Sequence, residues 1–448
     1  CQVKSISFYN VEIYFPIRIT MSFQEQQITF DSRHHQLTNI NVWTPDSQWL
    51  VYDVRPNGGS FTGLTIEKIH AKTKQQQIIY TATQGAHVGV ATISPVAPVR
   101  YAFIHGPENP DDLWHYDFHH RRGVIVNEQE DLGAVNIDAC SLTSPYQAGA
   151  LRGGTHVHVF SPDGTRLSFT YNDHIMHELG REFDQRNVAI AVPLKAVKVA
   201  KKHPREYDGE YFCTLISQTV AYPQKGSDEI NKAYEECWIG KQGYTKADGS
   251  QQRWAIAFIG DTVSESGEKV ADIFLVDLPD DDHAFSLEGD KPLAGTETTM
   301  PAPAQGIEQI RLTNTHHRKY PGVLNQPRHW LRSSPQGDAI AFLMKDDDGV
   351  VQLYTVSPTT KAIRQVTLQQ WDIQSAFTWS HRGEYLTFIC DNSVMLCNAK
   401  TGELTRLTDK TAQAPSGDAV VFSPNDQYIA FMRDIDGYRQ IFTVESGL

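Results

Sequence analysis

The chain lacks the sequence features of membrane, nucleic-acid-binding and disulfide-stabilised proteins. No apolar run reaches the roughly 18 residues of a membrane helix, so no transmembrane segment is predicted. The formal net charge is −13 over 448 residues, which argues against nucleic acid as a partner because such proteins carry a basic surface. The six cysteines form no CxxC pair and no metal-finger spacing, so neither a disulfide framework nor a zinc finger is predicted.

Motifs of nucleotide and serine-hydrolase sites are also absent. The sequence contains no Walker loop, no GxSxG elbow and no glycine-rich dinucleotide fingerprint. We therefore predict no nucleotide cofactor and no cofactor-binding residues. The acidic balance does not exclude an anionic substrate, because local arginine clusters can override the overall field.

Residues 1–25 are predicted to be an N-terminal extension outside the native fold. The first twenty residues lack the layout of a signal peptide. One hypothesis makes Cys1 a lipidated N-terminus left after signal cleavage, although such anchors usually precede a polar tether. The sequence favours the other, in which Met21 is the natural start. We expect a cytoplasmic protein; a processed Cys1 would instead make it periplasmic or a lipoprotein.

A recurring turn between two strands defines the architecture. It reads TPDSQWLVY from Thr44, SPDGTRLSF from Ser161, SPQGDAIAF from Ser334, SHRGEYLTF from Ser380 and SPNDQYIAF from Ser423, with a weaker copy from Ser94. The turn residues supply the required dihedrals, and the alternating apolar residues mark a strand with one buried face. Ser334, Ser380 and Ser423 are 46 and 43 residues apart, as in four-stranded propeller blades.

The long gap between Ser161 and Ser334 is predicted to hold one degenerate blade, which brings the count to seven. Its strands are expected near Tyr211–Ile216, Trp254–Ile259, Asp272–Leu278 and Glu308–Leu312. The predicted fold is thus an all-β, seven-bladed propeller of the TolB/WD40 type over residues 26–448, with insertions near 200–253 and 279–306. A helix is predicted from Ser227 to Trp238, where apolar residues recur at helical spacing.

The N-terminal strand is predicted to close the ring. The last blade stops at Phe442–Val444 without an outer strand, and Gln26–Phe30 is the unassigned strand-like segment at the other terminus. Pairing of these two segments would remove the open sheet edges.

Histidines and arginines concentrate where the inner strands begin. With a period of two, His156, His158, His329, Asn39 and Asp418 are predicted to face the channel, while Val157 and Trp330 pack between blades; a bulge would break this register. Alternate residues of a strand point the same way, so His156 and His158 would reach one ion. The predicted metal ligands are His156, His158, His316 and His317, and the predicted catalytic residues are His87, His329, Arg152 and Arg328. The alternatives are histidines bonded to water and backbone, or a pH-sensing role.

Two other segments carry histidines. Trp114–Arg122 is interpreted as a short aromatic strand followed by a solvated hairpin, or as an anion-binding rim in which Arg121 and Arg122 recognise carboxylates. In Tyr171–Glu178, His174 and His177 raise a metal hypothesis, although a loop is favoured over a ligand-bearing helix.

The chain is identified as resembling the YidR family of enterobacterial proteins from about Gln26 to the C-terminus. The resemblance is carried by WTPDSQWLVYDVRP (from Trp43), GAHVG (from Gly85), FIHGPENP (from Phe103), WHYDFHHRRGVIV (from Trp114), LRGGTHVHVFSPDG (from Leu151) and SDEINKAYEE (from Ser227). It is more distantly similar to the oligogalacturonate lyases, seven-bladed propellers with a His-x-His before an SPDG turn. That resemblance implies a divalent metal, manganese above others, and a histidine base. The chain departs from the pattern where Glu108 follows Gly106-Pro107 in place of Trp.

Two functions follow from these observations. The first is a divalent-metal-dependent lyase that cleaves uronic-acid oligosaccharides by β-elimination, with an acidic oligosaccharide as ligand. The second is a non-catalytic TolB-like propeller that binds a protein or peptide partner.

Overall fold

The structure is a computed structural model that describes residues 23–129 and 133–448. The predicted N-terminal extension, including Cys1 and Met21, lies almost wholly outside the described residues. The five described cysteines are free and buried. Within the described ranges, no helix is long and apolar enough to cross a membrane.

The alternating strands form seven four-stranded antiparallel sheets, which are the blades of a propeller. The described chain opens with β1 (Glu25–Gln27). Blade 1 contains β2 (His35–Gln36), β3 (Trp49–Val54), β4 (Thr65–His70) and β5 (Gln76–Thr81). Blade 2 contains β6 (Val88–Ile93), β7 (Arg100–His105), β8 (Arg122–Asn127) and β9 (Ala134–Asn136).

The next two blades carry the long connections. Blade 3 contains β10 (Gly153–Phe160), β11 (Leu167–Asp173), then helix α1 (His174–Leu179), β12 (Arg186–Val192) and β13 (Phe212–Leu215). Blade 4 contains β14 (Ala233–Trp238), the side hairpin β15 (Tyr244–Thr245) and β16 (Gln251–Gln252), then β17 (Trp254–Val263), β18 (Lys269–Leu278) and β19 (Gln309–Arg311). Short 3-10 helices lie at Arg181–Phe183 and Asp282–Ser286.

The last three blades are compact. Blade 5 contains β20 (Arg332–Ser333), β21 (Ile340–Lys345), β22 (Val351–Val356) and β23 (Ile363–Gln365). Blade 6 contains β24 (Thr378–Trp379), β25 (Tyr385–Cys390), β26 (Ser393–Asn398) and β27 (Leu404–Arg406). Blade 7 contains β28 (Pro415–Phe422), β29 (Tyr428–Ile435) and β30 (Tyr438–Glu445), and β1 is its outer strand.

The predicted ring closure is confirmed. Strand β1 pairs with β30, with Gln26 opposite Thr443, and the Ile28 amide donates to the Ile441 carbonyl at 2.8 Å. Both ends of the chain therefore belong to one sheet. The core lies between the blades, where the buried apolar faces of neighbouring sheets pack together.

Four local predictions are wrong. The segment predicted as a helix from Ser227 to Trp238 contains strand β14, because its backbone pairs with β17. Strand β13, predicted near Tyr211–Ile216 in the degenerate blade, is instead the outer strand of blade 3. Residues 174–179, predicted as a loop, form α1, whose first turn is capped by the Asp173 side chain. Residues 114–121, predicted to include a short strand, form turns before β8.

Candidate functional site

Two cavities follow one another along the propeller axis. Residues 36–39 of blade 1 line the first, and residues 40–43 line the second. The second cavity, of about 560 Å³, lies beside the repeated turns and is lined by Trp43, Trp238 and Trp379. The first, of about 400 Å³, is lined by Arg55, Arg328, Arg439 and His156. We call the first the arginine cavity and the second the tryptophan cavity.

A bulge in β10 separates the two histidines of the His-x-His motif. Between His156 and Val159 this strand has one residue more than its partner, and Val157 adopts a left-handed conformation with φ of 57°. His156 lines the arginine cavity, whereas the His158 ring packs on Gly123 of blade 2 and bonds to the Thr155 hydroxyl at 3.0 Å. The predicted common face of His156 and His158 is therefore wrong.

The arginines that line the arginine cavity have acidic partners. Arg55 pairs with Asp53 at 2.6 Å, Arg439 with Asp418 at 2.5 Å, and Arg328 with Glu235 at 3.0 Å. These carboxylates hold the guanidinium groups in place and neutralise part of their charge.

Two neighbouring arginines, Arg121 and Arg186, have no ion pair within the described part of the chain. Arg121 is buried and bonds through Nε to the Thr155 carbonyl at 3.0 Å. In the described ranges, neither of its terminal nitrogens has a partner of ordinary hydrogen-bond geometry. Arg186 donates from Nε to the Asn172 side chain at 3.1 Å. The guanidinium groups of both arginines lie over the Phe118 ring, and Glu235 and Asp184 act on the charge of Arg186. Arg121, which pairs with no carboxylate of the described ranges, favours an anionic ligand because buried charges require partners.

The His156 imidazole is held in its neutral form. Burial, followed by the charges of Arg121, Arg328 and Arg186, holds its pKa well below the usual value of 6.5. Its ring makes no hydrogen bond to the described residues, so the neutral imidazole faces the cavity without a competing partner. The same arginines that attract an anion thus keep this base unprotonated.

The other predicted catalytic residues do not line the arginine cavity. Both ring nitrogens of His329 are engaged, one by the Pro327 carbonyl at 2.9 Å and one by the Leu343 amide at 3.3 Å. Buried Arg152 pairs with Asp173 at 2.8 Å and donates to carbonyls of the 279–306 connection. His87 lines a separate groove beside Tyr116.

The four predicted metal ligands do not converge on one point. His156 and His158 are separated by the bulge, and His316 bonds within blade 4 to Arg311 at 2.7 Å and to Thr262 at 3.1 Å. His317 is exposed and adjoins His316. A metal site at these residues, like the catalytic roles, stays a prediction that this geometry does not favour.

One other group of side chains in the described ranges has metal-ligand spacing. His119, His177 and Asp184, here called the histidine–aspartate cluster, place one ligand atom each within 4.8 Å of the others. Burial alone would lower the pKa of His119, but hydrogen bonds to Asp117 and Asp184 raise it to about 9. In the sequence, His119 and His177 belong to two separate histidine-containing segments, and no sequence signal connects Asp184 to either of them.

These observations define the chain as a seven-bladed β-propeller with an arginine- and histidine-lined site at one end of its axis. Solved structures agree with the fold. An oligogalacturonate lyase from Vibrio parahaemolyticus superposes with a TM-score of 0.56 over 97% of each chain, at 12% identity. An oligogalacturonate lyase in complex with manganese gives 0.55 over 97% of each chain, at 13% identity.

Sequence comparison then gives the family. The chain is 56% identical to YidR of Escherichia coli (strain K12) over 407 residues, which cover 91% of this chain and 94% of that protein. It belongs to the YidR family. A family model described as "Protein of unknown function (DUF3748)" matches residues 87–207, the range that contains the histidine–aspartate cluster, Arg121, His156 and Arg186.

Proposed function

We propose that the chain binds uronic-acid oligosaccharides at the arginine cavity and cleaves them by β-elimination. The observation that carries the proposal is the buried Arg121 guanidinium beside Arg186 and neutral His156; among the described residues, its two terminal nitrogens have no partner of ordinary hydrogen-bond geometry. A planar carboxylate matches the fork of a guanidinium group. The propeller fold that the chain shares with an oligogalacturonate lyase supports the same proposal.

The reaction needs a base and a way to stabilise negative charge. His156 would take the proton from the carbon next to the sugar carboxylate, and Arg121 and Arg186 would stabilise the charge that develops on the carboxylate oxygens. The electron pair of the broken C–H bond forms a carbon–carbon double bond as the neighbouring glycosidic C–O bond breaks. The leaving oxygen takes a proton from water. A divalent metal, manganese by analogy with the solved complex, would supply further positive charge for the carboxylates.

The test compares binding and turnover of tri- and tetragalacturonate. Wild type should bind them, and the ultraviolet absorbance of the unsaturated product should rise. Arg186→Gln should weaken binding by roughly 10- to 100-fold, since a charge-assisted hydrogen bond contributes about 1.5–3 kcal/mol. Arg364→Gln, at an exposed residue of blade 5, is the matched control and should change nothing.

A second variant separates catalysis from binding. His156→Gln should keep binding and lose product formation. Methyl-esterified substrate, which lacks the carboxylate charge, should bind weakly to every variant. If wild type binds neither substrate, the proposal fails and partner binding becomes the better hypothesis. Binding without product formation would contradict the lyase activity and would indicate a protein that only binds acidic saccharides.

A further inference from the structure

The connections before β8 and β12 meet above blades 2 and 3 and bring the histidine–aspartate cluster together. The two oxygens of Asp184 face different imidazoles: Oδ1 lies 2.9 Å from His119 Nε2, and Oδ2 lies 3.2 Å from His177 Nδ1. The two rings are stacked with centroids 3.9 Å apart. Ligand atoms around a tetrahedral ion with bonds near 2.1 Å are about 3.4 Å apart, so only small shifts separate this arrangement from a coordination sphere.

Groups behind the cluster hold its members in orientation. Asp117 Oδ1 accepts the His119 backbone N–H at 2.7 Å and lies 3.6 Å from Nδ1 of the same ring. The Asn172 side chain donates to Asp184 at 3.4 Å. A carboxylate on the far nitrogen of a ligating histidine is a recurrent feature of metal sites, because it fixes the ring and raises its basicity.

The cluster is open on one side. His119 is buried, Asp184 is half-buried and the His177 side chain is 43% exposed. Three protein ligands with one accessible position are typical of sites that also bind water or a substrate oxygen. The adjacent His120 and His174 bond to each other at 3.2 Å, so those two ring nitrogens are already engaged.

We propose that His119, His177 and Asp184 bind a divalent transition-metal ion. Two imidazoles and one carboxylate suit zinc and nickel better than magnesium or calcium, and affinity should rise from manganese to zinc. Asn172 joins this site to Arg186, so the ion would lie next to the proposed anion site. The metal site does not depend on the proposed function, because its evidence is the ligand geometry alone.

The experiment is calorimetric titration of the metal-stripped full chain with zinc chloride, then with manganese chloride. Wild type should bind one zinc ion, and more tightly than manganese. His177→Ala and Asp184→Asn should each weaken zinc binding at least tenfold, and Asp117→Asn should weaken it roughly 10- to 100-fold through the His119 ring. His177 is exposed, so its variant should fold, and the melting temperature without metal verifies this.

Two histidine variants serve as controls. His283→Ala removes an exposed histidine from another short helix, and His174→Ala removes one from α1 itself. Both should keep wild-type affinity. Zinc binding that is absent or not stoichiometric in wild type would overturn the proposal. Equal binding by His177→Ala, or an equal loss in His174→Ala, would overturn the ligand assignment. Galacturonate binding by the same samples reports on the arginine cavity independently.

Discussion

Blades 2–4, here called the irregular half, and blades 5 and 6, here called the regular half, are built from the same four-stranded unit but differ at the axis. Blade 7 lies between the two types, because the register of its inner strand shifts between Pro415 and Val420. The inner strands of blades 2, 3 and 4 each carry a bulge of one extra residue, with Val90, Val157 and Glu235 in the left-handed region at φ of 59°, 57° and 52°. The inner strands of blades 5 and 6 are two residues long, and their register shows no bulge. Bulges redirect side chains and are frequent beside active sites.

The connections differ in the same way. Long connections join strands within blades 2, 3 and 4, at residues 106–121, 193–211 and 279–308. The corresponding connections in blades 5 and 6 are short, as at residues 346–350 and 391–392. Arg121, His156, Arg186 and the histidine–aspartate cluster all belong to the irregular half. The closing strand completes the ring, while the irregular half carries the residues of both proposed sites. We expect substitutions in blades 5–7 to change stability first, and substitutions in blades 2–4 to change ligand binding and pH response as well.

The largest effect on stability is expected at the closing strand. Ile28 is fully buried beside β30, whereas Phe30 is 61% exposed. Ile28→Ala should lower the free energy of unfolding by about 2–4 kcal/mol, through lost burial and a cavity. Phe30→Ala should change it by less than about 0.5 kcal/mol. Denaturant unfolding measures both, and equal effects would show that the N-terminal strand does not complete blade 7.

The sequence predicts the regular half well because its signals are local. Pro, Asp, Asn and Gly in each turn fix the backbone that reverses the chain, and the alternating residues after it decide which face is buried. The anchors at Ser334, Ser380 and Ser423 thus each mark a blade. The pairing of the N-terminal strand with blade 7 is also predictable, because the open edge of that sheet requires a partner strand.

The irregular half is poorly predicted because its determinants are not local. Val157 is β-branched and carries no signal for a left-handed backbone, so the strand period places His158 on the wrong face. The bulge in β14 lies between Tyr234 and Cys237. It interrupts the two-residue period of the strand there, so the apolar residues follow a three-residue spacing that resembles that of a helix. Asp184 joins His119 and His177 only after two connections of different blades meet.

An intermediate effect on stability is expected at Gly123, and it tests the position of the His158 ring. A Cβ at Gly123 would overlap that imidazole, whereas one at Gly289 meets only ordinary contacts. Gly123→Ala should destabilise the fold by about 2 kcal/mol, and Gly289→Ala by less than about 0.5 kcal/mol. In a His158→Ala background, Gly123→Ala should cost much less. If both glycine substitutions change the free energy of unfolding equally, the His158 ring does not pack on Gly123. The channel-facing position that the strand period predicts would then be favoured.

The smallest effect concerns Glu236, which lies within the bulge in β14. Its carboxyl group is buried at the tryptophan cavity, and neither oxygen has a partner of ordinary hydrogen-bond geometry in the described ranges. Burial raises its pKa from 4.5 to about 8. The folded chain therefore holds this proton more tightly than the unfolded chain does. Its stabilising contribution is complete below about pH 4.5 and is lost as the pH rises towards 8.

Glu236→Gln tests this contribution, because glutamine imitates the protonated carboxyl group. Relative to wild type, the variant should gain roughly 1–2 kcal/mol of unfolding free energy between pH 5 and pH 8, since a shift of one pKa unit is worth about 1.4 kcal/mol and relaxation reduces the full effect. Glu384→Gln, at an exposed residue of blade 6, should keep the wild-type profile. Urea unfolding at several pH values measures all three proteins. Parallel profiles for wild type and Glu236→Gln would mean that the carboxyl group is ionised and paired in the folded chain, and that the bulge in β14 does not leave it without a partner.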